Sequence, residues 1–228
     1  DKAEVLSYPS NPTNKIGDGV LYKGYTVGDI WGYETGGILQ ESDFDGVGPN
    51  GKPLYHGAYF KGGQPYPGYV WYQDLDHDGV ITSGLSTVDD PGDKKVIGNN
   101  APRYRYNITA NFQYKGFDLD LMFQGVGKRD YWLKDVSSYW GGGAGSWETY
   151  NQSWTPERTD AKFPMYGSGI GSYAQSGYLL DASYIKLKQV ILGYTFPKAL
   201  IGKVGLEKLR LNIAAYNLFT LSDVPKYY

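Results

Sequence analysis

Arg103-Tyr-Arg-Tyr-Asn-Ile-Thr-Ala-Asn-Phe-Gln-Tyr-Lys-Gly-Phe-Asp-Leu-Asp-Leu-Met-Phe-Gln124 is the stretch that decides the fold class. Tyr104, Tyr106, Ile108, Ala110, Phe112 and Tyr114 fall on one side of a two-residue period, and Arg103, Arg105, Asn107, Thr109, Asn111, Gln113 and Lys115 on the other. A strict alternation of this length predicts a strand with one apolar and one wet face. Lys115-Gly116 supplies a tight turn, after which Phe117, Leu119, Leu121 and Phe123 alternate with Asp118, Asp120, Met122 and Gln124. The spacing therefore predicts a hairpin over residues 103–124. Each arm, at about 3.3 Å per residue, is long enough to cross a tilted path through a bilayer. Tyr104, Tyr106, Tyr114, Phe117 and Phe123 gather toward the ends of the apolar faces, as aromatic residues do at the two water interfaces of membrane barrels.

Outward from this hairpin the chain repeats the design. Residues 183–219 predict a second hairpin: Val190, Leu192, Tyr194 and Phe196 share one face, Pro197 ends the run, and a turn around Gly202 to Gly205 follows. Beyond it Leu209, Leu211, Ile213 and Ala215 alternate with Arg210, Asn212, Ala214 and Tyr216. Two polar stretches rich in Gly, Pro and Asp, residues 41–100 and 126–180, predict long loops, a length that usually carries function. Tyr25 to Gln40 predicts a Gly-rich strand whose glycines mark bulges or close backbone approach. Short turns on one side and long loops on the other is the asymmetry of an outer-membrane barrel. A soluble β-sandwich also has one dry and one wet face per strand, so alternation alone does not separate the two.

Composition agrees with an all-β chain and narrows the chemistry. Among 228 residues there are 32 Gly and 23 Tyr, with no Cys and a net charge of −2. Aromatic residues suit a pleated surface and glycines supply turns. Without a basic excess there is no electrostatic case for a nucleic-acid partner. Two histidines and no cysteine leave no material for a Cys/His nucleophile pair or a His-rich zinc site, so no enzyme is expected. No run approaches the ~18 apolar residues of a membrane helix, a test to which β-strand spans are invisible. The opening Asp-Lys-Ala-Glu-Val has neither an initiating Met nor a signal sequence, and the expectation is a chain that begins inside a longer polypeptide.

One motif points to an ion. Asp74-Leu-Asp-His-Asp-Gly-Val-Ile81 places carboxylates at positions 1, 3 and 5, Gly at 6 and an apolar residue at 8, the first half of an EF-hand-type calcium loop. Asp74, Asp76, Asp78 and the backbone carbonyl of Val80 are the expected ligands, for structural support and not catalysis. Position 12 departs from the pattern: Leu85 stands where a bidentate acid belongs, with Asp89, Asp90 and Asp93 placed to reach back. An Asp/Gly turn without an ion fits the same residues. Tyr139, Trp140, Trp147 and Trp154 in the second long stretch are candidates for stacking on sugar rings, or equally for small loop cores.

Several segments together resemble the SusC/RagA type of TonB-linked outer-membrane protein. Gly28-Asp-Ile-Trp-Gly-Tyr-Glu-Thr-Gly-Gly-Ile-Leu-Gln40, the Asp74 loop, Val96-Ile-Gly-Asn-Asn-Ala-Pro-Arg103, the hairpin through Asp130, Tyr184 to Pro197, and Leu209 to Phe219 ending in Tyr-Asn-Leu-Phe come in that family's order and cover nearly all of the chain. The resemblance implies an antiparallel transmembrane barrel of roughly 22 strands, of which this chain holds the last third or so. It also implies a plug, a TonB-contacting region and a closing strand outside this sequence. The expected setting is the outer membrane of a Gram-negative bacterium. The expected work is TonB-dependent uptake of oligosaccharides or peptides, with a SusD-like surface lipoprotein over the mouth. In that frame Ile108, Phe112, Leu119 and Leu121 face lipid. Arg105, Asn107, Asn111, Asp118 and Asp120 face the lumen or plug, and residues 41–100 and 126–180 are extracellular. The alternative at this point is a soluble, calcium-stabilised carbohydrate-binding β-domain.

Overall fold

The computed structural model describes residues 3–132, 147–168 and 173–224. Its strands are β1 (Asp29–Tyr33), β2 (Thr35–Ile38), β3 (Phe44–Val47), β4 (Pro53–Tyr55), β5 (Tyr59–Phe60), β6 (Val70–Tyr72), β7 (Val80–Ile81), β8 (Lys94–Asn99), β9 (Tyr104–Tyr114), β10 (Phe117–Gly127), β11 (Asp130–Trp132), β12 (Leu179–Asp181), β13 (Tyr184–Thr195) and β14 (Arg210–Ser222). Among the described residues two short helices, α1 (Trp147–Asn151) and α2 (Lys198–Ile201), join them. Among the described residues no helix is long and apolar enough to cross a membrane. The chain forms two units, one built from residues 102–130 and 181–228, the other from 2–101 and 131–180.

The first unit is an antiparallel four-stranded sheet in the order β14-β13-β10-β9. Its register joins the apolar positions of every strand into one face. Leu119 lies opposite Phe112 and Leu192, Leu192 opposite Ile213, and Phe117 opposite Tyr114 and Tyr194. On the other face Asp118 pairs with Gln113 and Asp120 with Asn111, and Asn111 donates from Nδ2 to Asp120 Oδ1. The apolar face is uncovered: Ile108, Phe112 and Ile213 are 54%, 58% and 76% exposed. At about 3.3 Å per residue the 11-residue β9 is roughly 36 Å long, enough for a hydrocarbon core at a 45° tilt.

Glycines in this sheet serve rings and charges from neighbouring strands. A side chain at Gly125 or Gly127 would run into the rings of Tyr106 or Tyr104, their cross-strand partners, so the two tyrosines lie flat across bare backbone at the loop end. At the turn end Phe117 and Tyr194 pack with centroids 4.5 Å apart. Gly193 on β13 is similarly spanned. Asp118 on β10 and Arg210 on β14 form an ion pair over it, with Arg210 Nε donating to Asp118 Oδ1 at 3.1 Å.

The hairpins extend past their expected limits. The first reaches Gly127 and the second Ser222. The second connection is not a minimal turn, since α2 and a 3-10 turn at Gly202–Val204 fill it. The alternation of β13 changes phase at Lys188, from Ile185 and Leu187 to Val190, Leu192 and Tyr194, and β14 adjusts to it. Tyr216 pairs with Gln189 and Phe219 with Leu187, so Asn217 and Leu218 stand opposite Lys188 in a bulge. Asn217 takes a left-handed φ of 53° there, which Asn tolerates better than a branched residue. The bulge keeps Phe219 and Leu221 on the apolar face, opposite Leu187 and Ile185.

In the second unit, residues 41–100, expected as a long loop, carry short strands of their own. Strands β1 to β8 lie in this unit as short pairs, including β1-β8, β2-β6, β3-β4 and the parallel β5-β7. One core gathers Tyr33, Val70, Tyr72 and Ile81 with Phe60 and Tyr178 against it, and a smaller one gathers Ile16, Tyr22 and Tyr25. The single strand expected over Tyr25 to Gln40 is two, β1 and β2, broken at Glu34. Close backbone approach is the reason for Gly32, where a Cβ would meet the Ala174 carbonyl. Burial of Tyr33, with the nearby Tyr173 and Asp93, pushes its hydroxyl up to about 12.

Filling the gap at Gly193 separates Asp118 from Arg210. Gly193→Leu in the intact protein is expected to cost roughly 1–2 kcal/mol, mostly from displaced neighbours because exposed ion pairs contribute little. Thermal unfolding in detergent checks this, with Gly202→Ala, at a helix end open to solvent and at an ordinary φ of −62°, as the milder comparison.

Candidate metal loop and aromatic surface

The Asp74 motif is a closed loop tied to the core at its exit. Ile81, only 1% exposed, belongs to the core cluster, and β7 pairs with β5 just after the acids. Within the loop the carboxylates hold the backbone. Asp74 Oδ1 accepts from the His77 amide at 2.7 Å and Asp74 Oδ2 from Gly79 at 2.8 Å. Asp76 Oδ1 accepts from Asp78 at 3.2 Å and Asp78 Oδ1 from Val80 at 2.8 Å. His77 and Gly79 have φ of 61° and 86°, and the glycine is what makes the second bend inexpensive. One oxygen of each of Asp74, Asp76 and Asp78 lies within 4.8 Å of the others. That convergence fits a hard cation, which takes oxygen ligands from several directions.

The electrostatics of the three acids are uneven. Desolvation acts to raise Asp74, but the Gly79, His77 and Asp78 amides and Asp76 outweigh it and hold the carboxyl below its ordinary range. Asp76 is raised: desolvation dominates, and the charges of Asp78, Asp93 and Asp74 add to it against one amide bond from Asp78. Asp74 thus favours the folded loop above its unfolded pKa, a contribution lost as pH falls through its lowered value. Asp76 acts in the opposite sense. Its ionised form is a cost at neutral pH that disappears as pH falls through its raised value.

Of the three acids expected to reach back, Asp93 does so, but toward backbone. It is fully buried and accepts from the Leu75 amide through Oδ1 and the Thr82 amide through Oδ2, each at 2.7 Å. The carboxylate therefore clamps both flanks of the loop. Leu85, at position 12, is 75% exposed and offers no ligand. Sequence spacing does not distinguish this clamp from Asp89 and Asp90, because its role depends on burial.

The aromatic candidates divide. Tyr139 and Trp140 lie outside the described residues. Trp147 opens α1, is 75% exposed and stacks on Tyr150 with centroids 5.6 Å apart and planes 22° apart; Tyr150 meets Tyr166 edge-on at 6.0 Å. Trp147 can meet a ligand. Trp154 takes the other alternative, a loop core: it is 3% exposed, its indole N–H donates to Gln40 Oε1 at 3.0 Å, and its ring occupies the space left by Gly68. It anchors the second unit.

No protein-family model matches the chain. It is 31% identical over 209 residues to TonB-dependent receptor P3 of Formosa agariphila, covering 90% of this chain and 19% of that protein. It is 24% identical over 252 residues to TonB-dependent receptor P39 of the same organism, covering 98% and 24% respectively. The chain thus spans about a fifth of the length of the curated relatives it matches. Among solved structures, that of the RagAB peptide transporter shares the fold with a TM-score of 0.56 at 19% identity, over 95% of this chain and 20% of the other. The RagAB peptide importer in its open-open state gives 0.54 at 19% identity, over 88% and 19%.

Two substitutions test the loop in the intact protein. Asp93→Ala leaves two amides without acceptors and is expected to cost roughly 3 kcal/mol in thermal unfolding. Asp76→Asn, measured in chelator, is expected to raise the melting temperature at pH 7, with the gain shrinking as pH falls through the carboxylate range.

Proposed function

Because the chain belongs to the TonB-dependent receptors, as a stretch of their outer-membrane barrel, we propose that it forms part of the wall and extracellular loops of a nutrient importer. The whole protein, in this reading, takes up oligosaccharides or peptides across the outer membrane of a Gram-negative bacterium. TonB drives it through a region outside this sequence, and a SusD-like surface lipoprotein covers its mouth. The carrying observation is the four-stranded sheet, whose apolar face is continuous from β9 to β14 and exposed. In hydrocarbon every backbone group must be paired, and a sheet continued by further strands on both edges meets that demand. Asn107, Asn111, Asp118 and Asp120 then face the lumen, and Ile108, Phe112, Leu119 and Leu121 the lipid. A soluble carbohydrate-binding domain would leave that apolar face in water.

The chain's residues do not break bonds in this mechanism. The wall keeps a polar passage apart from lipid, and residues 41–100 and 126–180, as extracellular loops, meet substrate and lid. Calcium belongs to the proposal as a support for the second unit. Asp74, Asp76, Asp78 and the Val80 carbonyl would hold it, with water completing a set of six or more oxygens. Its charge would offset the desolvation and, after it, the neighbouring acids that raise Asp76. Trp147 is the aromatic residue best exposed to meet substrate.

Two measurements test this. A full-length Leu121→Arg variant is expected to fail in membrane assembly, since a charge on the lipid face costs about 2–4 kcal/mol at mid-depth; normal assembly and uptake would contradict the barrel reading. Calcium is expected to raise the melting temperature of the full-length protein at pH 7 more than magnesium does. Asp78→Ala should abolish the difference, and an unchanged difference would remove calcium from the account.

A further inference from the structure

We infer that a hollow in the second unit, walled by Tyr55, Tyr59, Phe60, Pro65, Tyr69 and Trp71, binds one apolar, ring-bearing side chain of a peptide. The inference rests on the importer reading and names peptide over oligosaccharide as the class that this site takes. The hollow has a volume of about 240 Å³. That is below the roughly 300–1,000 Å³ of sites that enclose a whole drug-sized ligand, and it suits a single ring.

Its walls are held from behind. Phe60 packs in an aromatic cluster, with ring centroids 5.2 Å from Tyr33, 5.5 Å from Tyr72 and 4.9 Å from Tyr173. The Trp71 indole lies across Gly36, where any side chain would collide with it. Tyr59 is 43% exposed and stands 6.2 Å from Tyr55. A ring entering the hollow therefore meets aromatic surfaces whose positions are already fixed, and little ordering cost offsets the contact.

The wall is mostly aromatic carbon, with the Tyr55, Tyr59 and Tyr69 hydroxyls and the Gln64 amide among its few polar groups, and that makes a sugar the poorer occupant. A pyranose carries hydroxyls around its rim, and burying them without partners is costly. Gln64 brings an amide side chain to the wall, but its Nε2 already donates to the Pro53 and Pro65 carbonyls at 3.0 and 3.1 Å. An aromatic side chain makes no such demand. The backbone of the peptide that carries it stays outside the hollow in water.

The experiment uses the full-length transporter in detergent and saturation-transfer NMR with three probes: N-acetylphenylalaninamide, N-acetylalaninamide and methyl β-glucopyranoside. The phenyl probe is expected to bind and the other two not. Tyr59→Ala should weaken it about fivefold or more, while Tyr59→Phe keeps affinity within about twofold and both variants keep the wild-type melting temperature. Equal binding of the alanine probe, preference for the glucoside, or phenyl binding untouched by Tyr59→Ala would each overturn the inference. TonB-dependent uptake by the same variants separates the two levels. Uptake that persists while the hollow ignores the phenyl probe refutes this site and leaves the importer reading standing. Uptake that does not depend on TonB refutes the importer reading itself.

Discussion

A β-sheet in hydrocarbon has no water to satisfy its backbone, so every amide and carbonyl must find a partner on an adjacent strand while the outward side chains stay apolar. The β14-β13-β10-β9 sheet is organised around that demand. Its four strands stay paired over ten or more residues, one face is apolar across all of them, and the charges lie on the other. The bulge at Lys188 and Asn217 shows how strongly the face is held. Where the alternation of β13 slips, an extra residue in β14 keeps Phe219 and Leu221 on the apolar side. Glycine follows from the same demand. Gly125, Gly127 and Gly193 give up their own side chains so that tyrosine rings or an ion pair can cross the sheet at its ends.

The second unit solves a different problem. Its strands are short and its turns many, so stability comes from two aromatic-rich clusters and from local ties. The Asp93 carboxylate is the clearest of these, because one buried side chain fixes both flanks of the acidic loop. The loop is closed by its own hydrogen bonds, and what a cation would add is a counter-charge for Asp76, which desolvation and then its acidic neighbours disfavour as an anion. The hollow beside Trp71 draws on the same aromatic cluster that forms the core.

The long strands are legible in the sequence because a two-residue period sustained over eleven positions fits a β-strand and does not fit the 3.6-residue period of a helix. The hairpin at Lys115-Gly116 follows from its turn residues. The acidic loop is equally legible, since a DxDxDG spacing carries its geometry with it. The order within residues 41–100 is not, because strands of two to four residues are too short to show a period and their pairing is set by tertiary contacts. For a related reason the sequence leaves Trp154 between a stacking residue and a loop core. Only the Gly68 gap and the Gln40 acceptor reveal that it is buried. Asp93 is one of three equivalent acids in the sequence, and burial alone sets it apart.

The central claim is that the two faces of this sheet meet different media. The chain itself has no cysteine, so single-cysteine spin labels can be placed at Ile108, Phe112 and Ile213 on one face and at Asn107, Asn111 and Asn212 on the other in the full-length protein reconstituted in liposomes. Relaxation by oxygen and by a water-soluble nickel chelate then reports lipid and water at each position. The account predicts oxygen access at the first three and nickel access at the second three. Nickel access at all six would contradict it.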